Sequence, residues 1–388
     1  MRASGRSAMD VKRLNRNAVY RYLLKKGSCL RTDISESLTL SAPTVLAITN
    51  ELSAEGLIRE AGKDISTGGR KPVILTPVYD RKYSVGIDIT QNHVSFALTD
   101  LSGKLKGYQR ISQKFVCEEG YPAGIAAALE GFLDGHGIER GKLLGVGWSI
   151  PGIISEGTEE VVVSHALRIR HLPFSFFSNA VPYPSSFIND ANAAAYCEAT
   201  AEGQEPANFF YFSLSNTVGG ALVSANREDH APDDPAVSCL RYGDRRKCGE
   251  VGHMTLYPGG KRCYCGQRGC FDAYCAAAVL SSGYDGRIEA FMEALESGDR
   301  DARLLWNGYL DDLALMINNI HTLLDTDIVL GGYVGSYLEK YLPELNARLA
   351  NMNTFQDEAP YLRACRFKVE ASAFGAALTK AKRFIVNV

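Results

Sequence analysis

A cluster of three cysteines with a nearby histidine constrains the fold of this 388-residue chain more than any other feature. Cys263, Cys265 and Cys270 have the spacing Cys-x-Cys-x4-Cys, and His253 precedes them. Thiolate and imidazole groups are donors that tetrahedral zinc prefers, and four of them leave no open coordination position. The spacing therefore predicts a structural zinc ion that holds a loop in place. Cys248 or Cys275 could replace His253 as the fourth ligand, and metal-free buried thiols are the alternative.

The distribution of the cysteines argues against a secreted disulfide-bonded protein. Five of the ten fall between residues 248 and 275, whereas a secreted scaffold is short and rich in cysteine throughout. Hydrophobic residues make up 46% of the chain, enough to bury the cores of two or three domains. The sequence shows no secretory leader and no apolar run of the ~20 residues that a membrane helix needs. We therefore expect a cytoplasmic protein with no membrane partner.

Charge is distributed unequally along the chain. Residues 1–82 contain 15 Lys and Arg against 8 Asp and Glu, a net charge of +7, and the remainder carries −9. A basic segment attached to an acidic body indicates that the segment contacts a polyanion. From charge alone, a solvated basic face is the alternative.

The basic segment has the pattern of a helix-turn-helix. A first helix is predicted from Asn15 and ends at Gly27, and a second follows an N-cap at Thr32. A third begins after an N-cap at Ser41, with a proline in its first turn, where a missing N–H costs little. The residues that this third helix would bury share one face: Val45, Ile48 and Leu52.

An apolar hairpin follows the three helices, so the segment is predicted to be a winged helix-turn-helix. The third helix would lie in the major groove of DNA, and an arginine at the glycine-rich wing tip would enter the minor groove. A solvated hairpin turn is the alternative for the wing tip. The predicted contacts with a double-stranded DNA operator are Arg31, Ser41, Ala42, Pro43, Thr44, Ala47, Gly69, Arg70 and Lys71.

After Pro77 the chain alternates strand-like and helix-like segments, which indicates an α/β body. One segment, residues 187–195, reads as a strand that runs into an alanine-rich helix. Asn189 and Asp190 lie at the junction, where α/β sheets place the groups that bind ligands.

These motifs resemble the ROK family (repressors, open reading frames and sugar kinases), and specifically its transcriptional regulators. The resemblance covers nearly the whole chain and includes a Ser-Thr-Gly-Gly-Arg-x-Pro linker at residues 66–72. Its most specific part is the signature Gly-His…Cys-x-Cys-Gly-x-x-Gly-Cys-x-Glu, which departs here only in ending on Asp272. The family implies an α/β fold: an N-terminal winged helix-turn-helix and a two-lobed body of the actin/hexokinase (ribonuclease-H-like) sugar-kinase type. We place the winged helix at residues 1–78, the first lobe at 79–195 plus 371–388, and the second lobe at 196–370.

The resemblance also implies the roles of particular residues. The matching zinc ligands are His253, Cys263, Cys265 and Cys270. The residues that match those binding sugar hydroxyls are Asn189, Asp190, Glu250, His253 and Asp272. His253 would use one ring nitrogen for the metal and the other for the sugar. Because Asp272 is shorter than the family's glutamate, a different sugar, a water bridge or a weaker site is expected there.

The segments that match the family's ATP-binding loops have lost glycines. Kinases of the family carry Asp-x-Gly-Gly-Thr, whereas residues 88–92 read Asp-Ile-Thr-Gln-Asn. A Gly-Thr-Gly-x-Gly-Gly loop is replaced by Ser-Asn-Thr-Val-Gly-Gly at residues 215–220, and a Gly-Gly-Gly segment ends on Tyr333. Side chains at these positions obstruct the close backbone approach that phosphates require. We therefore expect that ATP binding is lost, and that Asp190, the match to the catalytic base, has no catalytic role unless kinase activity persists.

These observations predict a DNA-binding repressor of carbohydrate metabolism that senses a sugar or sugar derivative. Because a helix-turn-helix protein usually reads a two-fold-related site, a homodimer or homotetramer is expected. An ATP-dependent sugar kinase of hexokinase type is the principal alternative. A protein-interaction scaffold with a vestigial cleft is a further one.

Overall fold

The N-terminal part of the chain folds into three helices and a small antiparallel sheet. The structure, a computed structural model, describes residues 8–63, 73–203, 207–225, 237–243, 247–352 and 361–388. The first elements are α1 (Ala8–Lys26), β1 (Cys29–Leu30), α2 (Arg31–Leu38), α3 (Ala42–Ala54), β2 (Ile58–Lys63) and β3 (Val73–Pro77). The sheet order β1-β3-β2 completes the predicted winged helix-turn-helix. The wing tip, with the predicted contacts Gly69, Arg70 and Lys71, lies outside the described residues.

Local capping explains where the helices of this head begin. The Ser41 side chain accepts a hydrogen bond from the Thr44 amide at 3.3 Å, so Ser41 is the N-cap of α3 as predicted. The buried face of α3 is also confirmed, since Val45, Ile48 and Leu52 are all buried. The N-cap predicted for α2 at Thr32 is wrong. The helix begins two residues earlier because the Asp33 carboxylate accepts the Leu30 amide at 2.8 Å.

The first lobe is built on a five-stranded sheet of order β11-β7-β4-β5-β6. The bounds of its strands and helices are β4 (Tyr83–Ile89), β5 (His93–Asp100), β6 (Leu105–Ser112), α4 (Gly120–Gly135), β7 (Leu143–Ile150), β11 (Ser185–Asn189) and α6 (Asp190–Thr200). A second sheet beside it, of order β10-β9-β8, comprises β8 (Ile153–Ser155), β9 (Glu160–Ser164) and β10 (Ile169–Pro173), followed by the short α5 (Ser175–Ser178).

The second lobe contains another five-stranded sheet, of order β14-β13-β12-β15-β16. Its strands are β12 (Phe209–Leu214), β13 (Val218–Val223), β14 (Leu240–Arg241), β15 (Asp327–Gly331) and β16 (Leu362–Ala364). Its helices are α7 (Asp272–Cys275), α8 (Ala277–Ser281), α9 (Ile288–Glu296), α10 (Arg300–Leu324), α11 (Gly332–Gly335) and α12 (Leu342–Ala350). The apolar sides of α9, α10 and α12 pack with β12 and β15 into one core.

The last helix, α13 (Ala371–Asn387), connects the parts of the molecule. It packs on α6 and on strands β4, β5 and β7 of the first lobe. Gly86 of β4 permits this contact, because a Cβ there would lie 1.7 Å from the Ala373 carbonyl oxygen. At its other end α13 contacts α1: the Asn17 amide donates to the Ile385 carbonyl, and Val388 joins the hydrophobic core of the head.

No helix among the described residues is both long and apolar enough to cross a lipid bilayer. The predicted domain boundaries at residues 78, 195 and 370 stay predictions.

Candidate functional site

A cleft between the two five-stranded sheets contains two cavities that share part of their walls. The first cavity has a volume of about 270 Å³, and the second about 400 Å³. The residues common to both walls are Pro151, His165, Ala166, Asp190, Thr217 and Tyr264. The two cavities are therefore adjacent, and Asp190 and Tyr264 belong to the walls of both.

The junction of β11 and α6 places two predicted sugar-binding residues on the wall of the first cavity. Asn189 ends β11 and caps α6: its Oδ1 accepts from the Asn192 amide at 3.0 Å, and its Nδ2 donates to the Gly152 carbonyl at 3.0 Å. These bonds fix the orientation of the Asn189 amide. Asp190, the first residue of α6, lies beside it and lines both cavities.

Glu250 reaches the same cavity from the second lobe. It follows Gly249, whose φ of +93° brings the backbone so close to β13 that a Cβ would lie 2.1 Å from the Gly220 carbonyl oxygen. Burial raises the pKa of Asp190 to about 6. Desolvation, together with the nearby Asp190 carboxylate, also raises the pKa of Glu250. Two carboxyl groups from opposite lobes thus face one cavity, an arrangement suited to accepting hydrogen bonds from hydroxyl groups.

His253, Cys263, Cys265 and Cys270 come together at the edge of the first cavity, with their donor atoms all within 4.8 Å of one another. Cys265 Sγ lies 3.8 Å from Cys270 Sγ, and His253 Nδ1 lies 3.9 Å from Cys263 Sγ. Zinc–sulfur bonds of ~2.3 Å give a sulfur–sulfur edge of about 3.8 Å in a tetrahedral site. The four residues could therefore hold a metal ion, with His253 binding it through Nδ1. Because the His253 ring lines the first cavity, its Nε2 atom could then contact a ligand there.

The positions of the side chains decide between the candidate metal ligands. Cys263 and Cys270 are 3% and 1% exposed, and burial raises the pKa of Cys263 to about 12, so its thiolate form requires a cation. Cys275 lies elsewhere and donates its S–H to the Tyr309 carbonyl. Cys248 is half-buried and, like Cys275, does not belong to the cluster. The sequence left these cysteines open as fourth ligands, and the structure groups His253 with the other three.

Asp272 lies behind the wall of the first cavity rather than on it. Its Oδ2 accepts from the Val218 amide at 2.7 Å and from the Tyr264 hydroxyl at 3.0 Å, and the carboxylate is 3% exposed. Tyr264 itself lines both cavities. Asp272 can therefore act on the cavity by orienting Tyr264, and its predicted sugar contact stays a prediction.

The comparison with known proteins agrees with this geometry. The sequence profile of the ROK family matches residues 84–382, a span that includes both cavities and the His/Cys cluster. The chain belongs to the ROK family. It is 30% identical over 279 residues to a protein named xylose repressor from Bacillus spizizenii, an alignment that covers 70% of this chain and 67% of that one.

Solved structures of other ROK proteins show the same fold. A ROK family transcriptional regulator, described as a homologue of the Escherichia coli Mlc protein, covers 97% of both chains with a TM-score of 0.75 and 21% identity. A ROK family glucokinase from Streptomyces griseus, solved with glucose and AMPPNP, covers 76% of this chain and 98% of its own with a TM-score of 0.62 and 22% identity. The predicted winged helix-turn-helix and two-lobed hexokinase-like body are thus confirmed.

The segments that match the ATP loops of ROK kinases form the wall of the second cavity. Residues 90–92, 215–217 and 332–333 all line it, and the side chains that replace the glycines leave a space of about 400 Å³. Asp88 lies at the base, where its Oδ1 accepts from the Ser149 hydroxyl at 2.6 Å and burial raises its pKa to about 7. These residues leave the second cavity open, and the loss of ATP binding expected from the sequence stays a prediction.

In the head, the predicted DNA contacts of α3 lie on its outer side. Ser41, Ala42, Pro43 and Ala47 are exposed, and Thr44 is half-buried with its hydroxyl 2.8 Å from that of Ser41. Arg31 behaves differently: its guanidinium donates to Thr49 Oγ1 at 3.0 Å and to Glu60 at 3.2 Å, so its donors are engaged within the head. These DNA contacts stay predictions.

Sequence reasoning missed three residues that the structure places at the candidate sites. Tyr264 was overlooked because its orientation depends on a hydrogen bond to Asp272, and the sequence alone does not show that the two side chains meet. Asn192 donates from Nδ2 to Asn189 Oδ1 at 3.1 Å and lines the first cavity. Its position three residues after the N-cap Asn189 could have identified it from the sequence. Asn50 is exposed on α3, one turn beyond Ala47.

Proposed function

We propose that this protein is a transcriptional repressor that binds a double-stranded DNA operator and responds to a sugar in the first cavity. The observation that carries the proposal is a continuous chain of packed helices. Asn189 and Asp190 at the start of α6 line the cavity, α6 packs along α13, and α13 contacts α1 of the head. The name of the xylose repressor from Bacillus spizizenii supports the same function. An operator-binding protein works beside the chromosome, so we place it in the cytoplasm.

The sugar would be held by groups from both lobes. Asn189 and Asp190 in the first lobe and Glu250 and His253 in the second offer amide, carboxylate and imidazole groups to neighbouring hydroxyls. His165 of the first lobe already lies against His253 and Tyr264 of the second, with ring centroids 5.7 Å apart in both pairs. A sugar that bonds to both lobes would favour their closure over the open arrangement.

The metal would be a zinc ion with a structural role. Residues 254–271 form no regular helix or strand. Two isolated bridges, Thr255 to Cys270 and Arg262 to Arg268, connect them together with turn hydrogen bonds. A four-coordinate zinc would fix this loop and leave no position for a substrate. Bound through Nδ1, it would also hold His253 in the tautomer that offers an Nε2–H to a sugar oxygen.

The response would reach the DNA through α13. A shift of α6 on lobe closure would move α13, and with it α1 and the face of α3 that carries Ser41, Ala42, Pro43, Thr44 and Ala47. A homodimer or homotetramer would turn a small movement into a change in the distance between two heads on a two-fold-related operator. The sugar can act in this way only if it binds the two states of the protein with different affinity.

A sugar kinase is the second candidate, because Asp190 occupies the place of a base. With its pKa raised to about 6, this carboxylate could accept a proton from a sugar hydroxyl near neutral pH. The walls of the second cavity argue against the transfer, since residues 88–92 contain no glycine to bring backbone amides onto phosphates. We therefore propose that the protein is not an enzyme.

Operator selection followed by sugar titration tests the function. The full-length protein is used to select binding fragments from genomic DNA, and affinity for the best fragment is measured by fluorescence anisotropy. We expect xylose, glucose or N-acetylglucosamine to change that affinity at least ~5-fold, the lower end of typical coupling between sites. The Asn189→Ala variant should bind the fragment equally well without a response. ATP-dependent phosphorylation of any of these sugars would favour the kinase instead.

A further inference from the structure

The second cavity has no role in the function proposed above, although it is the larger of the two. It shares six wall residues with the first cavity, so the two spaces are adjacent. Small-molecule sites commonly have volumes of about 300–1,000 Å³, and the first cavity lies just below this range. A ligand that filled only the first cavity would leave the adjoining space of about 400 Å³ to water.

The side chains around the second cavity are mainly neutral hydrogen-bonding groups. Two turns face each other across it, and their contributions are Thr90, Gln91, Asn92, Ser215, Asn216 and Thr217. Each hydroxyl or amide side chain can both donate and accept, as each sugar hydroxyl can. These positions correspond to the loops that would hold phosphates in a kinase, so the change replaces an anion-binding wall with one suited to a polyol.

Charge at the junction of the cavities also disfavours an anionic ligand. Asp88 and Asp190 both line the second cavity, and each carboxyl can accept hydrogen bonds from hydroxyl groups. Lys368, one of the cations of the wall, donates to the carbonyls of Ser336 and Cys365 at 3.4 and 3.3 Å. Arg168 is exposed at the rim. A phosphate would meet two carboxyl groups without the backbone cradle that normally offsets its charge.

Tyr333 forms part of the wall of the second cavity. Its hydroxyl accepts from Arg110 at 3.2 Å, the Arg110 guanidinium lies 5.2 Å from the centre of its ring, and its amide donates to Ser215 at 3.4 Å. Arg110 belongs to the first lobe and Tyr333 to the second, so the pair bridges the lobes. Contacts with both lobes therefore hold the Tyr333 ring in the wall of the second cavity.

We propose that the second cavity binds the second sugar unit of a neutral disaccharide or related glycoside, whose first unit occupies the first cavity. The proposal rests on the function proposed above and names the chemical class of its effector. The first unit bonds to Asn189, Asp190 and Glu250. The second bonds to Gln91 and Asn216, which approach it from opposite lobes. An effector of this kind makes contacts in both cavities and with both lobes.

Isothermal titration calorimetry on the full-length protein tests the proposal. The probes are glucose, xylose and N-acetylglucosamine, the 6-phosphates of glucose and N-acetylglucosamine, and a panel of α- and β-linked disaccharides of glucose, xylose and N-acetylglucosamine. We expect at least one disaccharide to bind about 10-fold or more tightly than the monosaccharide it contains, the gain from one or two hydrogen bonds in a formed site. A 6-phosphate that binds more tightly than every disaccharide would overturn the proposal.

Paired variants assign the effect to the second cavity. Gln91→Ala and Asn216→Ala should each weaken the disaccharide about 5- to 10-fold and leave its monosaccharide unchanged. Gln109→Ala, an exposed position on β6, is the matched control and should change neither. If monosaccharides bind and no disaccharide binds more tightly, this inference fails and the proposed function stands. If no sugar of the panel binds at all, both the inference and the proposed function fail. The comparison of mono- and disaccharides uses the wild-type protein, so it does not depend on how well a variant folds.

Discussion

The two cavities of the cleft lie side by side in one fold, yet different features build them. In the first cavity, side chains are fixed by features that do not depend on the ligand: Asn189 by a helix cap, Glu250 by a glycine-dependent close approach, and His253 by a cluster of cysteines. In the second cavity, residues 88–92 read Asp-Ile-Thr-Gln-Asn, where the resemblance to ROK kinases predicts glycines. One fold can therefore hold two neighbouring spaces whose walls differ in chemistry.

The difference follows from what each kind of site requires of the chain. A phosphate cradle uses backbone N–H groups, so a side chain at one of a few glycine positions disrupts it. A polyol site uses side chains on rigid element ends, and these tolerate changes in neighbouring loops. The predictions below are ordered by the size of the expected effect.

Removal of a cysteine ligand should have the largest effect, because it tests whether the first cavity depends on a metal. We expect Cys270→Ser to lose the single zinc ion per chain and to weaken sugar binding about 100-fold or more, since the loop that carries Tyr264 and His253 loses its anchor. Zinc content by atomic emission and calorimetry measure the two effects. Cys248→Ser is the control and should keep both, and a loss of zinc there would move the fourth ligand to Cys248.

Loss of the helix-cap side chain should come next. Asn189→Ala removes one sugar contact and one cap, so we expect sugar affinity to fall about 10- to 100-fold and the free energy of unfolding to fall by about 1 kcal/mol. Calorimetry and urea unfolding provide the two numbers. Asn351→Ala, at an exposed position far from the cleft, is the control. If Asn189→Ala lowered only the stability, the wall would be a structural feature and not a binding one.

Asp88 allows a pH experiment in the second cavity. Its pKa in the folded protein is about 7, above the ordinary value of 3.8, so the folded state binds the extra proton between these values. Stability should therefore fall as pH rises from about 4 to about 7, and Asp88→Asn should reduce that fall by at least about 2 kcal/mol. Urea unfolding between pH 4 and 8 measures it, with exposed Asp285→Asn as control. An unchanged slope in Asp88→Asn would show that this wall carries no buried charge.

The smallest effect is expected in the head. It extends the comparison of binding surfaces to one where side chains would contact DNA bases. Asn50 is exposed on α3, and an asparagine amide can bond to adenine in the major groove. Asn50→Ala should weaken operator binding by about 1 kcal/mol, the lower end of the range for a base contact, and relax the preference at one base pair. Anisotropy with the selected fragment and its single-base variants measures both. Ser53→Ala, exposed near the end of α3, should change neither; equal losses for all sequences would assign Asn50 to the DNA backbone.

Much of this architecture could be predicted because it depends on local spacing. Three features are set by residues a few positions apart: the buried face of α3, the strand and helix that meet at Asn189, and the cluster of cysteines that could hold a metal. The start of α2 was misplaced because the capping carboxylate of Asp33 lies inside the helix, three residues after the group it caps.

Features that depend on tertiary contacts could not be predicted. The position of Asp272 behind the wall depends on Val218, which is 54 residues away, and the contact of α1 with α13 joins opposite ends of the chain. The missing glycines predict a changed phosphate wall, and this stays a prediction. They could not indicate that a cavity of about 400 Å³ lies there, because its walls come from nine separate segments of the chain.

The most direct test of the account measures operator affinity under three conditions: protein alone, protein with a saturating sugar from the calorimetric panel, and protein with ATP and magnesium. The account predicts that the sugar changes the affinity at least ~5-fold and that the nucleotide leaves it unchanged. Equal affinities with and without the sugar, or a nucleotide that binds in the cleft and changes the affinity, would contradict it.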